Sequence, residues 1–157
     1  MKKKTKQVVL IVLSALAGLA TSCNNGNCPG NSNAIPLAEF YQDGSSVIIN
    51  NLTVYGIGAP GDSLILDEAS ASSVYMPLHI STGNCCYVLD YNTEGLEADT
   101  IKLEYDAIPY FESHECGAMF NFRITGIEYT LNAIDSIAIT RTLINNDDVA
   151  SIKIYMQ

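Results

Sequence analysis

The sequence predicts an all-β fold, a mostly antiparallel β-sandwich, and three observations lead to that class. Apolar and polar residues alternate with a period of two in short segments such as residues 101–105 and 120–124, as they do in strands that turn one face to a core. Clusters of turn-forming residues separate these segments. No window after residue 23 has the periodicity of an amphipathic helix. A sandwich is favoured because each segment has one apolar and one polar face, and an immunoglobulin-like topology is one option within this class.

The predicted strands follow one another at nearly regular intervals. β-rich or alternating segments occupy residues 47–54, 63–66, 73–78, 86–89, 101–105, 120–124, 137–139 and 152–154. Turn clusters rich in Gly, Asn, Asp and Ser lie at residues 58–61, 81–84, 92–95 and 145–148. Short strands with this spacing are typical of a sandwich or an open barrel. We therefore predict a single β-sandwich domain over residues 37–157.

The N-terminal segment has the features of a secretory signal peptide. Lysines at positions 2, 3, 4 and 6 precede an apolar run from Val8 to about Ala20. The run is shorter than the roughly 18 apolar residues that a membrane-spanning helix needs, although a transmembrane anchor is the alternative interpretation. A basic start, a short apolar segment and small residues at its end indicate that residues 1–22 are a cleavable signal peptide.

The end of this segment indicates lipidation. Residues 19–23 read Leu-Ala-Thr-Ser-Cys, which resembles the bacterial lipobox, with Ala20 at the position where leucine is usual. In such signals the cysteine becomes the new N-terminus and carries acyl chains such as palmitate. We therefore predict that Cys23 is lipidated and that its two or three chains anchor the protein stably to a membrane. The alternative is a plain secreted protein.

Charge and composition narrow the choice of partners. Removal of residues 1–22 leaves four basic residues against 17 acidic ones, a formal charge of −13. Nucleic-acid binding needs clustered Lys and Arg, so we expect no nucleic-acid partner. Residues 23–36 begin with a run rich in Asn and Gly. Such a run lacks the apolar content to bury a core, and we predict that it forms a flexible tether between lipid and domain.

A short pattern occurs three times, in the form Asp, hydroxyl residue, aliphatic residue. It begins at Asp62, Asp99 and Asp135. The favoured interpretation is a turn-to-strand transition in which the Asp side chain closes an Asx turn. The tripeptide also resembles the O-glycosylation acceptor that some gut-type Gram-negative anaerobes use on exported proteins. In that interpretation the glycans would be attached to Ser63, Thr100 and Ser136.

The segment from Asp90 to Gly95 resembles the first half of a calcium loop. Its first, third and fifth positions are Asp90, Asn92 and Glu94, and Gly95 is sixth. The twelfth position, where a bidentate Glu belongs, is Ile101. A turn between two strands explains the same residues. These three side chains are therefore weak candidate metal ligands, and we expect no bound cofactor.

The cysteines leave several arrangements open. If Cys23 is lipidated, four thiols remain, and the oxidising periplasm favours pairing among them; they are Cys28, Cys85, Cys86 and Cys116. Four cysteines allow three connectivities. Cys85 and Cys86 point to opposite faces in an extended strand, which disfavours a bond between them. A zinc site that combines His114 with these thiols is an alternative, although its spacing matches no standard zinc motif.

Several segments between about Ser46 and Gln157 occur in a recognisable order and spacing. They are NLTVYGIG at 51–58, SLILD at 63–67, YMPL at 75–78, DTIKLEY at 99–105, ECG at 115–117, DSI at 135–137 and IKIY at 152–155. Together they resemble an uncharacterised family, of the domain-of-unknown-function kind, of short envelope lipoproteins from gut-type Gram-negative anaerobes. The resemblance implies an envelope lipoprotein with a β-rich domain and implies no activity. It also implies a disulfide between Cys28 and Cys116, whereas the Cys85-Cys86 pair departs from the family pattern.

These features together predict a non-enzymatic protein of the cell envelope. The sequence contains no nucleophile elbow and no phosphate-binding loop, so we expect no enzymatic activity. We predict a lipid-anchored module that binds or supports another envelope component, with a carbohydrate- or calcium-binding sandwich as the alternative. The predicted location is the outer membrane with the domain facing the periplasm, because residues 24–27 lack the acidic residues that often follow the cysteine of surface-displayed lipoproteins. Surface display is the alternative location.

Overall fold

The computed structural model describes residues 34–57, 63–114 and 116–157, and these residues form two β-sheets packed together. The predicted β-sandwich is thereby confirmed. In chain order the strands are β1 (Leu37–Gln42), β2 (Ser45–Ser46), β3 (Ile49–Ile57), β4 (Ser63–Ala71), β5 (Ser73–Tyr75), β6 (Asn84–Asp90), β7 (Asp99–Ser113), β8 (Gly117–Tyr129), β9 (Ile134–Ile139), β10 (Leu143–Ile144) and β11 (Ala150–Met156). Within the described ranges, no helix is long and apolar enough to cross a membrane.

The two sheets differ in width. The small sheet has the order β2-β1-β11-β9, with β5 also paired to β1, and the large sheet has the order β10-β8-β7-β6-β3-β4. Eleven described strands exceed the seven or nine strands of immunoglobulin domains. Every pairing is antiparallel except that of β1 with β11, which is parallel and places Tyr41 opposite Tyr155.

The core lies between the sheets and consists of the inward-facing side chains of both. Phe40 of β1 and Ile154 of β11 come from the small sheet, and Leu103 of β7 and Phe122 of β8 come from the large sheet. All four are fully buried. Each such side chain contributes about 1.5–3 kcal/mol when it leaves water, so the alternating pattern in the sequence is the main determinant of this fold.

The structure lengthens some predicted strands and shortens others. The segments at 101–105 and 120–124 are parts of one long hairpin, β7 and β8. The predicted strand at 73–78 ends at Tyr75, close to Pro77, which has no N–H to donate to a ladder. Folded structure also begins earlier than residue 37, because Ala34 is buried and its N–H donates to the Phe120 carbonyl at 3.1 Å.

Asp99 fixes the crossover from β8 to β9. Its carboxylate is fully buried and accepts five hydrogen bonds, from the Thr130 and Tyr91 hydroxyls and from three successive backbone N–H groups, at 2.7–3.0 Å; the three N–H groups belong to Asn132, Ala133 and Ile134. Burial opposes ionisation of this carboxyl, but the hydrogen bonds outweigh burial and lower its pKa. The carboxylate is therefore held by oriented donors rather than by a basic side chain.

Candidate functional site

The sandwich has two different ends, and β7 runs from one to the other. We call the turn between Ser113 and Gly117 the hairpin end, and the region around Asp99 and Gln157 the cleft end. A strand of the length of β7 spans about 50 Å. The bond from Ala34 to Phe120 lies near the hairpin end, so the described chain enters the domain at that end and β1 runs towards the cleft end.

The larger of two clefts at the cleft end has a volume of about 410 Å³ and, among the described residues, no charged side chain lines it. We call it the neutral cleft. Its lining residues are Gln42, Val47, Ile48, Ile49, Asn50, Tyr91, Thr93, Leu96, Asn132, Ala133, Met156 and Gln157. Two of the aliphatic side chains remain open to solvent, Ile48 at 60% and Leu96 at 37%. The surface is therefore an exposed apolar patch with amide groups around it, the composition expected of a recognition site.

Hydrogen bonds hold the amide side chains of the neutral cleft in place. Gln42 Nε2 donates to the Gln157 carbonyl at 2.6 Å, and Gln157 Nε2 donates to the Leu131 and Ile134 carbonyls at 3.2 Å. Asn132 Nδ2 donates to the Ala98 carbonyl at 2.8 Å. These bonds connect four separate segments of chain, so the cleft wall is organised before any ligand arrives.

Tyr91 joins the neutral cleft to the buried Asp99. Its ring lines the cleft, and its hydroxyl donates to Asp99 Oδ2 at 2.9 Å. Burial, together with the hydrogen bond to the carboxylate, raises the pKa of Tyr91. The phenol therefore remains protonated and serves as a donor that supports the cleft floor.

The smaller cleft has a volume of about 320 Å³ and shares Gln42 and Met156 with the neutral cleft. Its other lining residues are Tyr41, Asp43, Asp135, Ser136 and Tyr155, and we call it the acidic cleft. The Tyr41 and Tyr155 ring centroids are 5.9 Å apart, because the parallel pairing of β1 with β11 places the two residues side by side on the outer face of the small sheet. The two carboxylates and the two rings thus belong to one open surface.

A cation already contacts this aromatic pair. Lys153 Nζ lies 4.3 Å from the Tyr41 ring centroid, which is cation–π distance. The Tyr41 hydroxyl donates to Glu39 Oε2 at 3.0 Å, and Glu39 is opposite Lys153 in the strand register. The outer face of the small sheet therefore accepts positive charge on tyrosine, beside carboxylates.

The three calcium candidates form a turn. Asp90 Oδ1 accepts the Asn92 N–H at 2.9 Å, and Asn92 Nδ2 donates to the Asn51 carbonyl and to Thr53 Oγ1, each at 2.9 Å. Glu94 is exposed. In the described ranges no group of three or more His, Cys, Asp or Glu side chains could hold a metal ion. The favoured interpretation as a turn accounts for Asp90 and Asn92, and the metal site remains a prediction that no contact supports.

The three candidate glycosylation residues have different surroundings. Ser63 is exposed at the start of β4, whereas Thr100 in β7 and Ser136 in β9 are half-buried. The Ser136 hydroxyl donates to Asp135 Oδ2 at 3.1 Å and borders the acidic cleft. Glycosylation at these residues remains a prediction.

The cysteines divide between described and undescribed parts of the chain. Cys23 and Cys28 lie outside the described residues, so lipidation and the predicted pairing of Cys28 with Cys116 remain predictions. The Cys116 N–H donates to Ser113 Oγ at 3.1 Å. Cys85 and Cys86 are free thiols, the first buried and the second half-buried, as expected for adjacent residues that face opposite sides of a strand.

Hydrogen bonding explains the environment of the buried thiol. Cys85 Sγ lies 3.1 Å from the Tyr105 hydroxyl, which also donates to the His79 carbonyl at 2.8 Å. Burial, with the contact to Cys85, raises the pKa of Tyr105 to about 12. The sulfur thus has a structural contact in the core.

Sequence reasoning missed the residues that form the two clefts. Tyr41, Asp43 and Tyr155 carry no motif, and the separation between Gln42 and Gln157 is 115 positions. One signal was available, since Glu39 and Tyr41 alternate with the buried Ala38 and Phe40. That alternation marks an outward-facing tyrosine, but it does not show which strand lies beside it.

Comparison with known proteins identifies a family. The model of a family of unknown function, DUF6452, matches residues 51–156. This span includes most of β3, all of β4 to β11 and the cleft residues Asp135 and Tyr155, and it begins after β1 and β2. No curated protein and no solved structure matches the chain. Because the match covers more than half of the chain, and confirms the expected relation to an uncharacterised domain family, the protein belongs to DUF6452, a family of unknown function.

Proposed function

We propose that this protein is a non-enzymatic lipoprotein of the cell envelope that binds another envelope component at its cleft end. One observation carries the proposal: the chain enters the domain near the hairpin end, where Ala34 bonds to Phe120, while both clefts lie at the opposite end. A domain attached to a membrane by residues before Ala34 turns its cleft end away from that membrane. The exposed aliphatic wall of the neutral cleft is thus placed where a partner can reach it.

The anchor in this proposal is the acylated Cys23, left at the N-terminus after removal of the signal peptide at residues 1–22. An extended segment from Cys23 to Ala34 reaches at most about 40 Å. A disulfide between Cys28 and Cys116 shortens that reach by fixing the tether to the hairpin end. The proposed site is the periplasmic face of the outer membrane in a gut-type Gram-negative anaerobe, with palmitate among the acyl chains.

The chemistry of the neutral cleft supports binding rather than catalysis. Its described lining offers aliphatic carbon, amides and hydroxyl groups. General acid–base catalysis needs a positioned group that titrates near the working pH, and the phenol of Tyr91, whose pKa is raised, does not. Preorganised amides next to exposed Ile48 and Leu96 are suited to recognising an amphipathic surface.

Carbohydrate binding is the second candidate function, and the tyrosine pair favours it. Sugar rings stack on aromatic faces, and their hydroxyl groups donate to carboxylates. Tyr41, Tyr155, Asp43 and Asp135 offer both within one cleft. Calcium binding at Asp90 has no comparable support, because that carboxylate closes a turn.

In-cell photo-crosslinking with matched positions tests the leading function. A photoreactive phenylalanine analogue is placed at Ile48, Leu64 or Phe111, which are similarly exposed at 60, 58 and 63%. These lie at the cleft end, on strand β4 and near the hairpin end. We expect one envelope protein to be captured in stoichiometric yield from position 48 and neither of the other two. Equal capture from all three positions, or none from position 48, would contradict the proposal, and mass spectrometry of the product shows whether Cys23 is acylated.

A further inference from the structure

We propose that the two clefts form one bipartite site for an extended polypeptide segment that carries an aliphatic residue within two positions of a lysine or arginine. This inference rests on the proposed function, because it names the chemistry of the partner. The neutral cleft takes the aliphatic side chain and the acidic cleft takes the basic one. The two clefts are neighbours, because Gln42 and Met156 line both of them.

The neutral cleft suits an uncharged side chain and its backbone. In a chain with a formal charge of −13 after residues 1–22, a cleft whose described lining is wholly uncharged is unusual. Ile48 and Leu96 provide an apolar wall that gains from burial, at about 25 cal/mol per Å² of apolar surface. A charged side chain would lose its hydration there without gaining a counter-charge.

The acidic cleft has the opposite character, because it contains carboxylates and no basic residue in its described lining. Both Asp43 and Asp135 are exposed. Lys102 bonds Glu104 at 3.0 Å and Arg141 bonds Asp147 at 3.0 Å, whereas Lys153 lies over the ring of Tyr41, which lines this cleft. The cleft thus has two carboxylates, Asp43 and Asp135, beside one ammonium group, and an incoming cation would balance this excess of negative charge.

Lys153 shows that this aromatic face accepts a cation. Its ammonium group lies over Tyr41, and the Tyr155 ring is the adjacent one in the pair. A guanidinium or ammonium group from a partner can contact Tyr155 in the same manner and pair with Asp135, the residue before the Ser136 that lies opposite Tyr155 in the register. The aromatic pair thus favours a basic side chain over a free metal ion.

The spacing of the two clefts fits an extended segment. Successive residues of an extended chain advance about 3.3 Å, and neighbouring side chains point to opposite sides. Because the two clefts share Gln42 and Met156, we infer that one or two such steps connect the side chains that occupy them. The amide groups between them are available to contact the backbone of the bound segment, the usual source of affinity for extended peptides.

Peptide binding by the native protein tests this inference. The full chain is extracted in detergent and immobilised, and labelled octapeptides in a Gly-Ser background are passed over it. Three series carry Leu with Arg, Leu with Glu, or Ser with Arg, at separations of one or two positions. We expect retention of the Leu–Arg series at least about tenfold above the other two, equivalent to about 1.4 kcal/mol, with binding that weakens as salt rises.

Variants locate the site. We expect Asp43→Asn with Asp135→Asn to lower Leu–Arg binding about tenfold and to remove most of its salt dependence, and Leu96→Ser to lower binding without changing the salt dependence. The Asn at position 43 keeps the turn, because Asn tolerates the positive φ of 52° found there. The matched controls Asp67→Asn and Leu64→Ser lie on exposed positions of β4 and should leave binding unchanged.

Two results would overturn the inference. One is equal binding of all three peptide series, and the other is full Leu–Arg binding by the double Asp variant. Binding of neutral oligosaccharides in place of peptides would also overturn it and would support the carbohydrate candidate. If crosslinking from position 48 captures a partner while the peptide series show no preference, this inference fails and the proposed function stands; if position 48 captures nothing, the proposed function fails.

Discussion

The two ends of the sandwich are held in different ways. At the cleft end, the buried Asp99 carboxylate accepts hydrogen bonds from two segments, Tyr91 and residues 130–134, and amide side chains connect neighbouring loops. At the hairpin end, β7 and β8 continue beyond β6, whose pairing with β7 stops at Glu104, so the tip is a two-stranded ribbon whose turn contains Cys116. The hydrogen bonds of the cleft end hold its side chains in a defined arrangement. The ribbon, with the proposed disulfide, determines only where the hairpin end is attached. A recognition site needs side chains in a defined arrangement, whereas an attachment point needs only a fixed position.

Removal of the Asp99 carboxylate should cause the largest loss of stability. Asp99→Ala leaves the donors of Tyr91, Thr130 and three backbone N–H groups without their acceptor in a buried site. Each unsatisfied buried group costs about 1–3 kcal/mol, so we expect unfolding free energy to fall by about 3–5 kcal/mol in urea denaturation. The exposed Asp67→Ala should change it by less than about 0.5 kcal/mol. Similar losses for the two variants would show that Asp99 does not hold the cleft end.

Disruption of the hairpin end should lower the stability less than Asp99→Ala does and should leave binding at the clefts unchanged. Cys116→Ser removes the proposed disulfide with Cys28. A disulfide typically contributes about 2–4 kcal/mol, and we expect that loss in chemical denaturation under oxidising conditions. The free thiol Cys86 provides the control, since Cys86→Ser breaks no covalent link. We expect crosslinking from position 48 to survive in the Cys116 variant. Loss of that crosslink would show that the two ends are coupled.

Acidification should loosen the cleft end. Hydrogen bonds lower the pKa of Asp99 in the folded protein relative to about 3.9 in the unfolded chain. The unfolded state therefore binds the proton first, so this stabilisation is complete above about pH 5 and is lost as pH falls through the folded pKa. Urea denaturation between pH 7 and pH 2 measures the effect. Asp99→Asn should have a shallower acid dependence than the unmodified protein, and an unchanged slope would assign the acid sensitivity to other carboxylates.

The smallest effect on stability is expected at the exposed wall of the neutral cleft. Ile48 makes few buried contacts, so Ile48→Ser should change unfolding free energy by less than about 0.5 kcal/mol. The amount of partner that co-purifies from cells with the Ile48→Ser protein should nevertheless fall several-fold. Leu64→Ser serves as the equally exposed control on β4. A stability loss as large as that of Asp99→Ala would mean that Ile48 belongs to the core.

The fold class could be predicted from sequence because alternation is a local property. Residues 101–105 and 120–124 alternate, and both lie in strands that turn one face inward. The length of the hairpin was harder to predict, because a proline such as Pro109 is rarely found in a central strand. It is tolerated because β6 no longer pairs with β7 at that point, so that β8 is the partner of β7 there among the described strands.

The clefts could not be predicted, because they depend on which distant strands become neighbours. The parallel pairing of β1 with β11 creates the tyrosine pair, and no local pattern encodes it. The repeated Asp tripeptide shows the same limit. Asp99 is buried as an acceptor for five donors, whereas Asp135 is exposed at the acidic cleft. The same local pattern thus occurs once with a buried Asp and once with an exposed Asp, and only the tertiary structure distinguishes the two.

The parallel pairing of β1 with β11 also has a mechanical consequence. Under the proposed arrangement, the lipid pulls on the start of β1 while a partner at the cleft end pulls the other way, along the strand axis. The five register pairs that join β1 to β11 then carry the tension together, in shear, rather than opening one after another. A force between the membrane and a bound partner would therefore act along β1 and β11, which is the direction in which these two strands resist separation most strongly.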